Sequence, residues 1–128
     1  MKKIVLFLLL LPLAMQAQVS EMESTYNALA ERFEVRGKNV LNDLKTYLSD
    51  YPYSTYEDEV HFMIGTIYTE KNAFKNALKE LVKVENKRLT RPHQEAALFN
   101  LGYCYMMQQE FDKASVFFDL LRQRTSKD

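Results

Sequence analysis

The chain has 128 residues, 17 basic against 17 acidic side chains, and one cysteine. That length suits one small domain, and the balanced charge offers no basic excess for nucleic acid or an anionic membrane surface. A single cysteine excludes an internal disulfide, so burial must hold the fold, and eight Tyr and eight Phe supply the apolar area for it.

The chain opens Met1-Lys2-Lys3 and then runs apolar from Ile4 to Leu11, continuing through Pro12 to Met15. A positive start, a short apolar core and a small residue before a cut have the form of a secretory signal peptide. The cut is expected after Ala17, with Gln18 as the new N-terminus. A retained membrane anchor is the competing reading, but a spanning helix needs about 20 apolar residues. Cys104, the only cysteine, lies far from the cut, which argues against a lipid-modified anchor. Removing residues 1 to 17 from 128 leaves 111, with 15 basic and 17 acidic side chains once Lys2 and Lys3 are gone. The Lys-Lys start, Leu-rich core and Ala-Gln junction look bacterial. The expectation is an exported, periplasmic protein with no stable membrane anchor after cleavage.

Helical periodicity begins with Tyr26, Leu29, Ala30 and Phe33 on one stripe, predicting a helix from Ser20 to Arg36. Ser20 with Glu23 has the spacing of a capping box, and Ser24 is an equal candidate start. Gly37 is the expected left-handed stop. Val40, Leu41, Leu44, Tyr47 and Leu48 give a second stripe, ended by Pro52. A third carries Val60, Ile64, Ile67 and Tyr68, and a fourth Phe74, Ala77, Leu78, Leu81 and Val84. Asn86 to Pro92 is a loop holding Lys87, Arg88 and Arg91. Leu98, Leu101 and Tyr105 mark a fifth helix, and a sixth spans about Asp112 to Gln123. No stretch alternates long enough to predict a strand. The expected fold class is all-α, six helices paired into three hairpins.

The chain repeats itself. Ile64, Gly65, Tyr68, Phe74, Ala77, Leu81 and Val84 recur as Leu101, Gly102, Tyr105, Phe111, Ala114, Phe118 and Leu121, each pair 37 residues apart. A glycine within a helix costs about 1 kcal/mol relative to alanine, so its double appearance points to a steric need. The expectation is that helix backbones approach closely there, with Ala77 and Ala114 facing the contact and Tyr68 and Tyr105 filling the groove.

This large–Gly–x–x–aromatic then small–large spacing resembles the tetratricopeptide repeat. The two strong copies cover residues 57–89 and 94–124, and a weaker one covers 20–52, where Ala30 stands in place of the glycine. Matching the weak copy requires a turn at Gly37 about two residues shorter. The period is 37 rather than the family's usual 34. The junction Asp50-Tyr51-Pro52-Tyr53-Ser54 is similar to that of bacterial envelope members, including outer-membrane assembly lipoproteins and periplasmic Tol–Pal partners. The resemblance implies a right-handed α-solenoid whose first helices line a concave surface for a peptide or protein. Carried over by position, that surface holds Glu59, Phe62, Thr66 and Thr69, then Ala96, Phe99, Tyr103 and Met106. Phe62 and Phe99 replace the Lys of chaperone-tail binders, and Thr66 and Tyr103 replace their Asn, so carboxylate capture is not implied. Packing of Phe62 and Phe99 against neighbouring repeats is the alternative.

No spacing calls for a catalytic group, a metal or a cofactor. His61 follows Glu57 at i+4, but neither HExxH nor a second ligand cluster accompanies it. Cys104 suits a packed thiol, since a nucleophile would need an activating base. The Lys87–Arg91 loop suits solvent better than a bound anion, and Tyr51, Tyr53 and Tyr56 suit junction packing. Two functions remain open: an exported interaction module for a peptide or protein partner, or the N-terminal part of a longer or self-associating scaffold. Phe117, Phe118, Leu120 and Leu121 on the last helix form the apolar arc that self-association would use.

Overall fold

A computed structural model describes residues 12–126 of the chain. Among them are six α-helices, one short 3-10 helix and no strand, the all-α class expected. The helices are α1 (Leu13–Glu34), α2 (Val40–Asp50), α3 (Glu57–Glu70), α4 (Phe74–Leu81), α5 (Arg91–Met107) and α6 (Phe111–Thr125); Asn86–Arg88 is the 3-10 turn. Two compact units divide at Ser54 and Thr55. The expected leader falls largely on residues 1–11, outside the described residues. No helix among the described residues is long and apolar enough to cross a membrane.

In the first unit, Leu29 and Phe33 of α1 are buried, as are Val40, Leu44 and Tyr47 of α2. The Tyr47 hydroxyl lies 2.7 Å from that of buried Ser54, and its ring packs on Tyr51 with centroids 5.0 Å apart. Arg32 pairs with Asp43 at 2.7 Å across the hairpin. Three expectations change here. Helix α1 starts directly after Pro12, so Ser20 lies within the helix and makes no cap; Leu13 to Val19 contains good helix formers, and nothing halts propagation before Pro12. The left-handed residue at the α1 end is Arg36 (φ 49°), not Gly37. The turn between α1 and α2 has five residues, 35–39, where the later hairpins have three, so it is two longer rather than two shorter. A second left-handed residue, Asn39 (φ 62°), takes up the extra length.

All three hairpins close α-helices with one motif. Gly37 N–H donates to Arg32 O and Arg36 N–H to Phe33 O. Ala73 to Tyr68 with Asn72 to Thr69, and Glu110 to Tyr105 with Gln109 to Met106, repeat the pair. These are Schellman closures around left-handed Arg36, Asn72 and Gln109. The weak first copy of the repeat therefore shares its turn chemistry with the strong ones, though its sequence lacks their glycine.

The second unit packs α3 with α4 and α5 with α6, and sets α5 against both α3 and α4. Val60, Phe62, Met63 and Ile64 are almost wholly buried, with Ala77, Leu81 and Cys104. Helix α4 stops at Leu81, so Val84 lies beyond it rather than on its last turn. The connection to α5 is anchored by buried Leu89. Asn86 donates to Gln94 O at 3.0 Å and Gln94 to Leu89 O at 2.8 Å. Arg124, near the end of α6, donates to Asn86 Oδ1 at 2.8 Å and to Gln94 Oε1.

The glycines answer to side chains more than to backbone. A Cβ on Gly65 would stand 2.6 Å from Leu81 Cγ, with Ala77 O at 3.4 Å. On Gly102 it would stand 2.7 Å from Phe118 Cε1. Each notch thus seats the large residue four positions after the alanine of the second helix. Leu81 is only 2% exposed and has nowhere to move, whereas the Phe118 ring is half-buried. Overpacking costs about 1–3 kcal/mol, offset by about 1 kcal/mol of helix propensity. Gly65→Ala is expected to lose about 1–2 kcal/mol in urea unfolding, and Gly102→Ala to stay near neutral; equal losses at both sites would refute the notch argument.

Candidate functional site

The first turn of α3 is acidic: Glu57, Asp58 and Glu59. Acids there complement the helix dipole, but two of them also reach beyond their own helix. Asp58 Oδ1 accepts the N–H of Glu85, ahead of the 3-10 turn, at 3.1 Å. Glu59 Oε1 accepts the N–H of Thr90, the residue capping α5, at 2.6 Å, and its Oε2 lies 2.5 Å from His93 Nδ1. In a capping box the third helical residue reaches back to the cap N–H; here an acid of the neighbouring helix does so, and the third residue, His93, holds that acid.

A seam continues down the two helices. Phe62 stacks on His93, centroids 4.4 Å apart. Asn100 Nδ2 donates to Thr66 Oγ1 at 3.1 Å, and Thr66 donates in turn to Phe62 O at 2.8 Å. Thr69 donates to Gly65 O at 2.8 Å and lies 3.4 Å from Cys104 Sγ. Cys104 is fully buried, and burial pushes its thiol pKa up, against the opposing effect of the Thr69 hydrogen bond. The contacts advance together along both chains, so α3 and α5 run parallel.

This seam corrects the surface expected from the repeat resemblance. Glu59, Phe62, Thr66 and Thr69 are all buried and are occupied by α5, so they line no open surface. Their positions point toward the next first helix instead. The residues 37 further on have no such cover: Phe99 is 49% and Met106 37% exposed, while Ala96 and Tyr103 are half-buried. Phe99 stacks on Tyr103 with centroids 6.0 Å apart and contacts Phe118 at 6.1 Å; Phe74 meets Tyr103 edge-on at 5.8 Å. Met107, 47% exposed, joins the same stripe. Sequence reasoning passed over Met107, although its place four residues after Tyr103 marks it. Nothing from Ala96 to Gln109 carries a charge.

The remaining candidates take structural places. His61 Nδ1 lies 2.6 Å from Glu80 and its Nε2 3.6 Å from Glu57, tying α3 to α4. Arg88 pairs with Glu85 at 2.7 Å and lies 3.8 Å from Asp58. Tyr51 packs on Tyr47, but Tyr53 is 96% exposed and packs on nothing. On the last helix, Phe117 stacks on Tyr105 at 5.7 Å, Phe118 fills the Gly102 notch and Leu121 is half-buried, which leaves Leu120 as the exposed part of the apolar arc.

No family model, curated protein or solved structure matches the chain.

Two outcomes check the seam. Glu59→Ala strands the Thr90 N–H and His93, and a hydrogen bond to a charged group contributes about 1.5–3 kcal/mol; a loss of about 2 kcal/mol in unfolding free energy is expected. Cys104 should resist a thiol reagent in the native protein and react at once in urea, because only its exposed thiolate is nucleophilic. Rapid native labelling would contradict its burial.

Proposed function

We propose that the protein is a tetratricopeptide-type interaction module, exported to the bacterial envelope, that binds a protein partner through the exposed face of α5. One observation carries this reading. The stripe Phe62–Thr66–Thr69 on α3 is covered by a neighbouring helix, while its equivalent Phe99–Tyr103–Met106 on α5 is open. Stacked aromatics beside two methionines make a surface suited to apolar, adaptable recognition. The signal-like start at Met1-Lys2-Lys3, the expected cut after Ala17 and the Pro52 junction support the envelope placement. The near-neutral charge supports a protein partner over nucleic acid.

A photo-crosslinking amino acid at position 99 in the native cell tests the face. Discrete adducts are expected there and none from position 53, which is more exposed but lies outside α5. Adducts from both positions, or from neither, would end the assignment. Recovery of the chain from the periplasmic fraction with Gln18 at its N-terminus is the expected result for export; a chain retained in the cytoplasm would remove that part of the proposal.

A further inference from the structure

We propose that the outer face of α4 is a docking surface for an anionic lipid bilayer, recognised by a stripe of unpaired lysines. This surface lies on a different helix from the α5 face and stands independently of the function assigned to that face.

The balanced total charge hides a strong segregation. From Lys71 to Arg91 the chain carries seven basic and two acidic side chains, while the rest of the 128 residues carry ten basic and fifteen acidic. Both acids of the basic segment are engaged: Glu80 lies 2.6 Å from His61 of α3, and Glu85 pairs with Arg88 at 2.7 Å. The lysines are not. Lys71, Lys75, Lys79, Lys83 and Lys87 recur at every fourth residue, and all are exposed. Lys83 approaches Glu80 only to 3.9 Å, and among the described residues Lys71, Lys75, Lys79 and Lys87 pair with no carboxylate.

The helix sets the middle of this series on one side. At about 100° per residue, Lys79 stands about 40° from Lys75, and Val82 about 20° from Lys75 in the other direction. Buried Ala77 and Leu81 lie on the opposite side of α4. Val82, 60% exposed, is thus an apolar side chain set among ammonium groups on an outward face. The repeat does not require this pattern. Positions 37 residues after Lys75, Lys79 and Lys83 hold Asp112, Val116 and Leu120, and those 37 before hold Lys38, Asn42 and Thr46. Only the middle copy carries the stripe.

Its chemistry selects the occupant. An arginine fork suits a fixed carboxylate or phosphate, whereas lysine is a flexible point charge. Lysines that no partner holds would lose rotamer freedom against a rigid acidic protein; lipid headgroups are mobile and come to the ammonium groups instead. The lysine stems and Val82 add apolar groups suited to the boundary between headgroups and acyl chains. The stripe has no aromatic side chain on which nucleic-acid bases would stack.

The test is co-sedimentation of the purified chain, as the cell processes it, with vesicles of phosphatidylcholine alone or of phosphatidylcholine mixed with phosphatidylglycerol. Circular dichroism follows helicity in every variant. Binding is expected to the anionic vesicles only. It should fall steeply between about 0.1 M and about 1 M salt, as the screening length shortens from about 10 Å to about 3 Å. Lys75→Gln and Lys79→Gln should each weaken it about fivefold, the effect of one lysine near an anionic surface, and the double variant should weaken it further. Lys38→Gln, the same charge change at the equivalent position of the first copy, should leave binding unchanged. A chain that binds neither vesicle or both equally, binding indifferent to the two substitutions, or an equal loss from Lys38→Gln each overturns the proposal. Binding to polyglutamate without binding to vesicles would overturn it too, and would give the stripe to an acidic protein. Discrete crosslinks from position 99 with no vesicle binding would remove the bilayer and leave the α5 face standing.

Discussion

Glu59 is an acid on a helix face packed against another helix, only 6% exposed. A carboxylate taken out of water is costly unless its oxygens are satisfied, and here each oxygen has one partner, the Thr90 N–H and the His93 ring. Both partners belong to the first turn of α5, so the acid fixes where α5 begins and how it is rotated. A slip of one residue would turn His93 by 100° and leave the carboxylate buried and half-satisfied. An apolar residue at position 59 would let α5 slide; the acid makes one register much better than its neighbours. The Thr66–Asn100 bond and the Phe62–His93 stack lie further along the same seam and follow from that register.

Within each hairpin the governing constraint is different and purely steric. Gly65 and Gly102 open a notch that Leu81 and Phe118 fill, and Ala77 and Ala114 keep the second helix close by being small and buried. These contacts are the same in both copies because they serve the same local packing. The contacts between hairpins are not the same. The second unit therefore combines a repeated interior with a single, specific joint, and only the interior produces the 37-residue echo.

That division explains what could be read from the sequence. The all-α class and the end of α2 at Pro52 were legible, because each depends on local periodicity or on a residue with one physical meaning; the glycines were legible as sites of a steric need, though side chains rather than backbone fill them. The start of α1 was not, since Ser20 and Glu23 carry a cap signature inside a helix that propagates past them from Pro12. Arg36 adopts the left-handed turn beside a glycine that would adopt it more easily, a choice that local propensity alone gets backwards. Its guanidinium donates to Phe33 O and lies over the Phe33 ring at 4.0 Å, which holds it there. Glu59, Thr66 and Thr69 were placed on an open surface because the repeat resemblance carries those positions onto one, whereas Phe62 packs as its alternative reading had it. The partners that bury all four lie 31 to 35 residues away, out of reach of any local pattern.

The contrast between the two equivalent faces also bears on specificity. A seam with a buried acid and hydroxyls tolerates only a neighbour that supplies matching donors, because every mismatch leaves a buried polar group unpaired. That is how α3 selects α5. The α5 face offers Phe99, Met106 and Met107 around Tyr103 and no charge. It cannot reject a partner through unpaired polar atoms except at the phenol. What it can reject is charge, since a carboxylate or ammonium pressed onto that stripe would lose water and gain nothing. Selection on such a face runs through shape and the absence of charge.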